Sequence, residues 1–167
     1  MSFDDLDNLD HDADLAVALG NMVVAWARAE TALVKAYAVV AKIHYNLAAS
    51  AYYRIPTFES RVKVLLALID EQQEVVDRRD EIAKAVGKLA KLSSARNKWI
   101  HGLWIVERGT KKTLVIPMRD PASTRRGSQI KAHDVEDHVS AVRRRTTDLE
   151  AFSPLTIALQ KPKRKSQ

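Results

Sequence analysis

Apolar residues recur every three or four positions over most of this chain, a spacing that predicts amphipathic helices. The first long helix is predicted to begin at about Asp14. A second helix has Thr57 as its N-cap, a third long helix ends at His101, and a last helix covers about 133–152. The inward stripe of the first helix is predicted to comprise Val23, Trp26, Glu30, Leu33, Tyr37, Val40 and His44.

The helical spacing of apolar residues ends after Gly102, and the residues that follow favour strands in place of helix. Two β-prone runs, 103–107 and 113–118, flank a turn at 108–112, so a β-hairpin is predicted at about 103–118. An isolated hairpin is only marginally stable and should lean on the helices. The whole pattern predicts a mostly α fold, a bundle of four to five helices with a small β-hairpin after the third predicted helix.

The third predicted helix carries an arginine, Arg96, on its inward stripe between Leu92 and Trp99. A buried guanidinium cannot lose its proton, so Arg96 must meet an anion, acceptor groups or water in a cleft. His101 lies just before Gly102, a typical helix stop, and the negative end of the helix dipole there favours an imidazolium. A fixed cation beside a titratable imidazole indicates a phosphate site with an acid–base group.

Glu30 interrupts the stripe of the first helix much as Arg96 interrupts that of the third. Two opposite charges on inward stripes predict a pair, in which Glu30 approaches Arg96 or its neighbours and orients the guanidinium. In the alternative, Glu30 lies at the edge of its stripe and reaches water.

Length and composition indicate one globular domain rich in helix, since the chain has 167 residues, 46% of them apolar and 29% charged. The predicted domain covers 14–153, between an acidic mobile tail at 1–13 and a basic disordered tail at 154–167. The chain has no cysteine, which excludes disulfides, thiolate metal sites and a cysteine nucleophile. The string 133–138 contains metal-binding residue types, but no other ligand converges on it, so no metal and no cofactor are predicted. Neither a secretion signal nor a membrane span is predicted, and we expect a cytoplasmic protein.

The net charge of +6 favours a polyanionic partner. The segment 107–131 contains seven Lys or Arg against two acidic residues, so it is placed to guide a phosphate backbone toward Arg96. An ordinary solvated loop is the alternative. The candidate RNA-binding residues are Lys98, Lys111, Lys112, Arg125 and Arg126.

Arg96-Asn97, three intervening residues and then His101-Gly102, with an aromatic at Trp104, resemble the motif of the HEPN superfamily. In that family an arginine, a polar residue after it and a histidine lie on one helix of a small α-helical domain. The resemblance covers roughly residues 14–151 and implies a HEPN-like bundle that forms a homodimer with the two motif helices facing each other. It also implies a metal-independent endoribonuclease, of a toxin–antitoxin or phage-defence system, with an antitoxin or regulatory protein as a further partner.

The resemblance implies a role for each motif residue. His101 would assist attack of a ribose 2′-hydroxyl on the adjacent phosphodiester or protonate the leaving oxygen. Arg96 would stabilise the charge on the non-bridging oxygens, and Asn97 would fix the geometry. A second subunit would supply the second histidine. HEPN toxins silenced by nucleotide transfer carry a tyrosine two positions after the motif histidine, where this chain has Leu103, so the resemblance does not extend to that regulation.

Two other functions fit the same residues. A non-catalytic HEPN-like dimer could serve nucleotide binding or protein interaction, with Arg96 and His101 holding structure. A protein that binds nucleic acid by charge alone would need only the tails and Arg143–Arg145.

Overall fold

Helices dominate the structure, a computed structural model that describes residues 3–5, 8–72, 76–117 and 127–152. These residues form six helices, and the mostly α fold class is confirmed. The connection after the first predicted helix forms a helix of its own, and the third predicted helix is divided in two. The helices are α1 (Ala13–Val40), α2 (Tyr45–Arg54), α3 (Phe58–Glu71), α4 (Val76–Ala90), α5 (Ser93–His101) and α6 (Ala132–Glu150).

Within the described residues, four short strands form one antiparallel sheet in the order β1-β2-β3-β4. They are β1 (Phe3–Asp5), β2 (Leu103–Glu107), β3 (Thr113–Ile116) and β4 (Ser128–Gln129). The predicted hairpin is confirmed as β2 and β3, with Trp104 opposite Val115. Its turn uses positive φ angles at Gly109 (97°) and Lys111 (53°).

Strand β1 corrects the prediction of a mobile tail at 1–13, because Phe3–Asp5 pairs with β2. Asp4 lies opposite Val106 and accepts hydrogen bonds from the guanidinium of Arg108 in the hairpin turn. The hydrogen bond from Arg108 holds the pKa of Asp4 below its usual value. Asp4, one acidic residue of this segment, therefore supports a specific strand pairing. The predicted basic tail at 154–167 lies outside the described residues.

The chain divides into two compact units, whereas the sequence predicted one domain over 14–153. The sheet unit consists of residues 1–26 and 91–142, and the helical unit of residues 27–90 and 143–167. Each unit is therefore built from two separate stretches of chain.

The core of the sheet unit takes side chains from α1, the sheet and α6. Burial of each large apolar side chain contributes about 1.5–3 kcal/mol to stability. The residues that α6 was predicted to turn inward, including Val135, Val139 and Val142, are buried. The other large members of this core are Leu15, Met22, Trp26, Ile105, Val115 and Ile116.

The core of the helical unit is formed by α1 to α4 and the end of α6. Helix α3 begins as predicted, since the Thr57 hydroxyl accepts a hydrogen bond from the Ser60 amide at 3.1 Å. Arg28 on α1 and Glu150 on α6 form an ion pair at 2.6 Å. The large buried residues include Leu33, Val34, Tyr52, Leu65, Ile69, Ile82, Val86, Leu89 and Leu149.

The inward stripe of α1 differs from the predicted one at both ends. Val23 is 53% exposed, and His44 lies beyond α1, where it caps the start of α2. The buried face instead uses small residues such as Ala18, Ala25 and Ala29. Among the described residues, α1 is also the one helix long and apolar enough to cross a membrane, a test that the core helix of a soluble protein passes as well. Apolar residues on every side of α1 made its inward face ambiguous in the sequence.

Candidate functional site on α5

The three motif residues lie on α5, a separate nine-residue helix and not the end of one long helix as predicted. Helix α4 ends at Ala90, and α5 starts at Ser93, with Leu92 as an N-cap that makes no side-chain capping hydrogen bond. Gly102 ends α5 as predicted, with an ordinary φ of −79°. A Cβ atom at this position would collide with the Lys98 carbonyl oxygen and the Val115 side chain, so glycine is needed for close approach to β3.

The guanidinium of Arg96 is half-buried and held on two sides. Its Nη1 atom donates to Asn97 Oδ1 at 2.9 Å, and its central carbon lies 5.6 Å from the centroid of the Trp26 ring. Its Nε atom is buried without a hydrogen-bond partner. Cation–π contacts of this kind contribute about 0.5–2 kcal/mol. The Nε edge of the guanidinium is therefore buried, while its Nη1 atom reaches the surface at Asn97.

Asn97 and His101 are exposed and share one face of α5, because residues four apart in a helix are neighbours. Arg96 and His101 are five apart, which turns them by roughly 140° around the helix axis. No hydrogen bond or ion pair between Arg96 and His101 occurs in the described part of the chain. Within one subunit, Asn97 is therefore the link between the guanidinium and the face that carries His101.

Glu30 does not form the predicted pair with Arg96, since its ion-pair partner is Arg61 of α3, at 3.4 Å. Both side chains are largely buried in the helical unit, with 22% of Glu30 and 15% of Arg61 exposed. Arg61 also donates to the Ile55 carbonyl oxygen at 2.9 Å and lies 5.3 Å from the ring centroids of Tyr52 and Tyr53. The inward stripe correctly placed Glu30 inward, but Arg61, a second inward arginine, forms the ion pair that the sequence predicted for Arg96.

The candidate RNA-binding lysines occupy two different environments. Lys98 is tied to β4, because its Nζ atom donates to Ser128 Oγ at 2.6 Å. Lys111 and Lys112 are exposed at the tip of the hairpin. Arg125 and Arg126 lie outside the described residues. A basic surface at the hairpin tip is thus available to a polyanion.

The α5 site thus consists of a half-buried cation, an exposed amide and an exposed imidazole. No family model, curated protein or solved structure matched this chain.

The described residues contain no cluster of three or more His, Asp or Glu side chains that could hold a metal ion. In the 133–138 string, His133 Nε2 lies 3.2 Å from Asp134 Oδ1 at the surface. His138 is instead buried, with its ring edge-on to Trp99 at a centroid distance of 4.9 Å. Burial lowers the pKa of His138.

Sequence reasoning missed the aromatic surroundings of the motif. Trp26 lies against Arg96, Trp99 contacts His138, and Trp104 Nε1 donates to the Trp99 carbonyl oxygen at 2.9 Å. The position of His138 between Val135 and Val142 at helical spacing was a signal for its burial. No sequence signal paired Trp26 with Arg96.

Proposed function

We propose that this protein is a metal-independent endoribonuclease of the HEPN type whose active site is built on α5. The bond from Arg96 Nη1 to Asn97 Oδ1 carries the proposal. It keeps part of a half-buried guanidinium at the surface, beside an amide that shares a face with His101. Arginine binds phosphate oxygens through paired donors, so this edge of α5 suits a phosphodiester.

The proposed reaction uses the RNA's own nucleophile. The imidazole of His101 removes the proton from a ribose 2′-hydroxyl, and the oxygen attacks the adjacent phosphorus. The bond from phosphorus to the 5′-oxygen breaks, and that oxygen takes a proton from an imidazolium. The products carry a 2′,3′-cyclic phosphate and a 5′-hydroxyl. Arg96 stabilises the charge on the non-bridging oxygens, and Asn97 positions the phosphate.

A second copy of the chain is part of this proposal. One imidazole per subunit supplies either the base or the acid, and a two-fold axis through the site supplies the other. Arg96 and His101 of one subunit are turned apart by roughly 140°, so we propose that the Arg96 of the facing α5 contributes to the site that contains His101. We therefore propose a homodimer with the two α5 helices facing each other.

Cleavage of a fluorescent RNA in EDTA tests the proposal. We expect product with a 2′,3′-cyclic phosphate from the native protein, and a loss of roughly 10²–10⁴-fold in His101→Ala, the usual contribution of a general acid or base. Arg96→Lys should also cleave more slowly, because lysine keeps the charge and loses the bond to Asn97. His133→Ala is the matched control, since His133 is another exposed histidine, 63% exposed, on α6.

Two results would refute the nuclease assignment. One is equal cleavage by His101→Ala and the native protein, which would indicate a contaminating enzyme. The other is cleavage of an RNA whose nucleotides all lack the 2′-hydroxyl. Thermal unfolding of each variant shows whether the fold is retained.

Non-catalytic binding of RNA or a nucleotide is the second candidate function. The separation of Arg96 from His101 within one subunit favours it, since a binding site needs the guanidinium and the amide but no imidazole beside them. Binding measured by fluorescence anisotropy, with no cleavage at any protein concentration, would support this candidate over the nuclease.

A further inference from the structure

The outward side of α1 in the sheet unit is apolar. Val17, Val23 and Val24 are 64%, 53% and 68% exposed, respectively. Ala13, Ala16 and Gly20 lie among them on the same side and are also exposed. We call these six residues the valine face. Positions 15–27 of α1 include no charged residue, and Asn21 is the only hydrogen-bonding side chain apart from Trp26.

The opposite side of α1 is already buried, through Leu15, Ala18, Met22 and Ala25. A helix that is apolar all round is normally covered on all sides. The valine face is therefore an apolar surface with no partner within the described chain, and its exposure costs hydrophobic free energy that a docked surface would recover.

Charges at the two ends of the valine face indicate what docks there. Asp14 is exposed at the start of the helix, and Arg28 lies fourteen positions later with 63% of its side chain exposed. Arg28 uses Nε and Nη2 to bond Glu150, which leaves Nη1 for a second carboxylate. In an antiparallel pair of α1 helices centred near Gly20 and Asn21, Asp14 of each copy lies opposite Arg28 of the other. In a parallel pair, like charges would meet.

The valine face has the same symmetry. Val17 and Val24 lie at equal distances on either side of the point between Gly20 and Asn21, so a two-fold axis there places Val17 of one copy on Val24 of the other. Gly20 at the centre has no atom within 4 Å of an added Cβ, and a residue without a side chain lets two helices approach closely.

A lipid bilayer fits this surface less well. Helices that lie on membranes insert large side chains such as Trp, Phe or Leu and flank them with Lys or Arg. The valine face contains only Val, Ala and Gly, and the charged residue at its N-terminal end is Asp14.

We propose that the valine face of α1 binds the same face of a second copy of this chain, antiparallel and about a two-fold axis near Gly20. This surface is separate from α5, and the inference does not rest on RNA cleavage. If both surfaces bind copies at once, each chain has two partners, and the assembly is larger than a dimer; it closes as a tetramer when the two axes cross at right angles.

Sedimentation velocity tests the surface. We expect the native protein to be a dimer or tetramer, and Val17→Lys/Val24→Lys to have half that mass, with native helix content by circular dichroism. Val64→Lys is the matched control, because Val64 is an exposed valine on α3, 38% exposed. A native monomer at 100 µM, or a mass unchanged in the double variant, would overturn the proposal. So would loss of mass in the Val64 control together with the double variant.

Disulfide formation tests the orientation, since the chain has no native cysteine. Under mild oxidation, Gly20→Cys should form a covalent dimer with itself, and Val17→Cys should link to Val24→Cys in a mixture. Asp14→Cys should not link to itself, because antiparallel pairing separates the two thiols by about 21 Å along the helix. Gly87→Cys, on α4, is the control for random collision. Self-linking of Asp14→Cys would contradict the antiparallel arrangement.

Vesicle binding tests the alternative that the valine face binds a lipid bilayer. Flotation with phosphatidylcholine–phosphatidylserine vesicles should recover no native protein. The proposal would be overturned if the native protein floated with the vesicles, the double lysine variant did not, and the native protein formed no oligomer. That result would assign the valine face to lipid binding.

Discussion

His138 shows how one buried side chain sets a pH dependence for the sheet unit. Its ring lies edge-on to Trp99, its Nε2 atom is buried without a hydrogen-bond partner, and the residue is 9% exposed. Burial disfavours the imidazolium and lowers the pKa below the ordinary value of 6.5. The folded protein therefore holds His138 neutral at a pH where the unfolded chain would already protonate it.

We expect the free energy of unfolding to fall as the pH drops below about 6.5. A histidine with a lowered folded-state pKa contributes stability above its unfolded pKa, and that contribution is lost as the pH falls through the folded value. Urea titrations between pH 5 and pH 7.5 measure the slope. His138→Phe should reduce it, whereas His133→Ala, at an exposed site, should leave it unchanged. An equal slope in His138→Phe would show that other groups cause it.

At the scale of elements, the junction between α5 and β3 depends on one missing side chain. Any Cβ at residue 102 meets the Lys98 carbonyl oxygen and the Val115 side chain, one in the last turn of α5 and the other in β3. Since Val115 is fully buried, the strand has little room to give way. The position of His101 relative to the sheet is therefore fixed by its neighbour.

Gly102→Ala should destabilise the protein by roughly 1–3 kcal/mol, the usual cost of overpacking a core. Gly87→Ala is the matched control, because an added Cβ there meets no atom within 4 Å and alanine favours a helix interior by up to about 1 kcal/mol. Urea unfolding of both variants measures the difference. A Gly102→Ala variant as stable as the native protein would show that α5 can shift away from β3 without cost.

The sequence predicted the local features of these elements better than the tertiary contacts between them. The hairpin followed from two β-prone runs around a turn, and the start of α3 followed from Thr57, both local signals. The sequence did not predict the break before α5, because the apolar stripe continues across it from Leu89 through Leu92 to Trp99. The sequence did not predict the partner of Glu30 for another reason. Arg61 and Arg96 both interrupt helical patterns, and only the fold determines which of the two pairs with the Glu30 carboxylate. The sequence correctly placed Arg96, Asn97 and His101 on a helix. Their mutual geometry depends on the break between α4 and α5, for which the sequence contains no residue signal.

At the scale of the whole molecule, β1 connects the first residues of the chain to a strand that lies a hundred residues later. Phe3–Asp5 covers one edge of β2, and the Asp4–Arg108 ion pair holds this pairing at the hairpin turn. An uncovered strand edge is open to pairing with other chains.

Asp4→Ala should increase amide hydrogen exchange several-fold in β2 more than in β3, because the carboxylate that fixes β1 is lost. Exchange followed by mass spectrometry on peptides covering 103–107 and 113–116 measures the effect. Asp10→Ala removes another carboxylate from the same region, and its exchange should match the native protein. Equal exchange in the Asp4 variant would mean that the backbone pairing of β1 is sufficient.

The two units, each assembled from distant stretches of chain, have a consequence for biosynthesis. The sheet unit needs residues 1–26 together with 91–142, and the helical unit needs 27–90 together with 143–167, so neither is complete until α6 has been made. At roughly 5–20 residues per second, a newly made α1 waits several seconds on the ribosome before its partners emerge. During that time both of its apolar sides are bare, and α1 becomes the segment of the nascent polypeptide that a chaperone would recognise first.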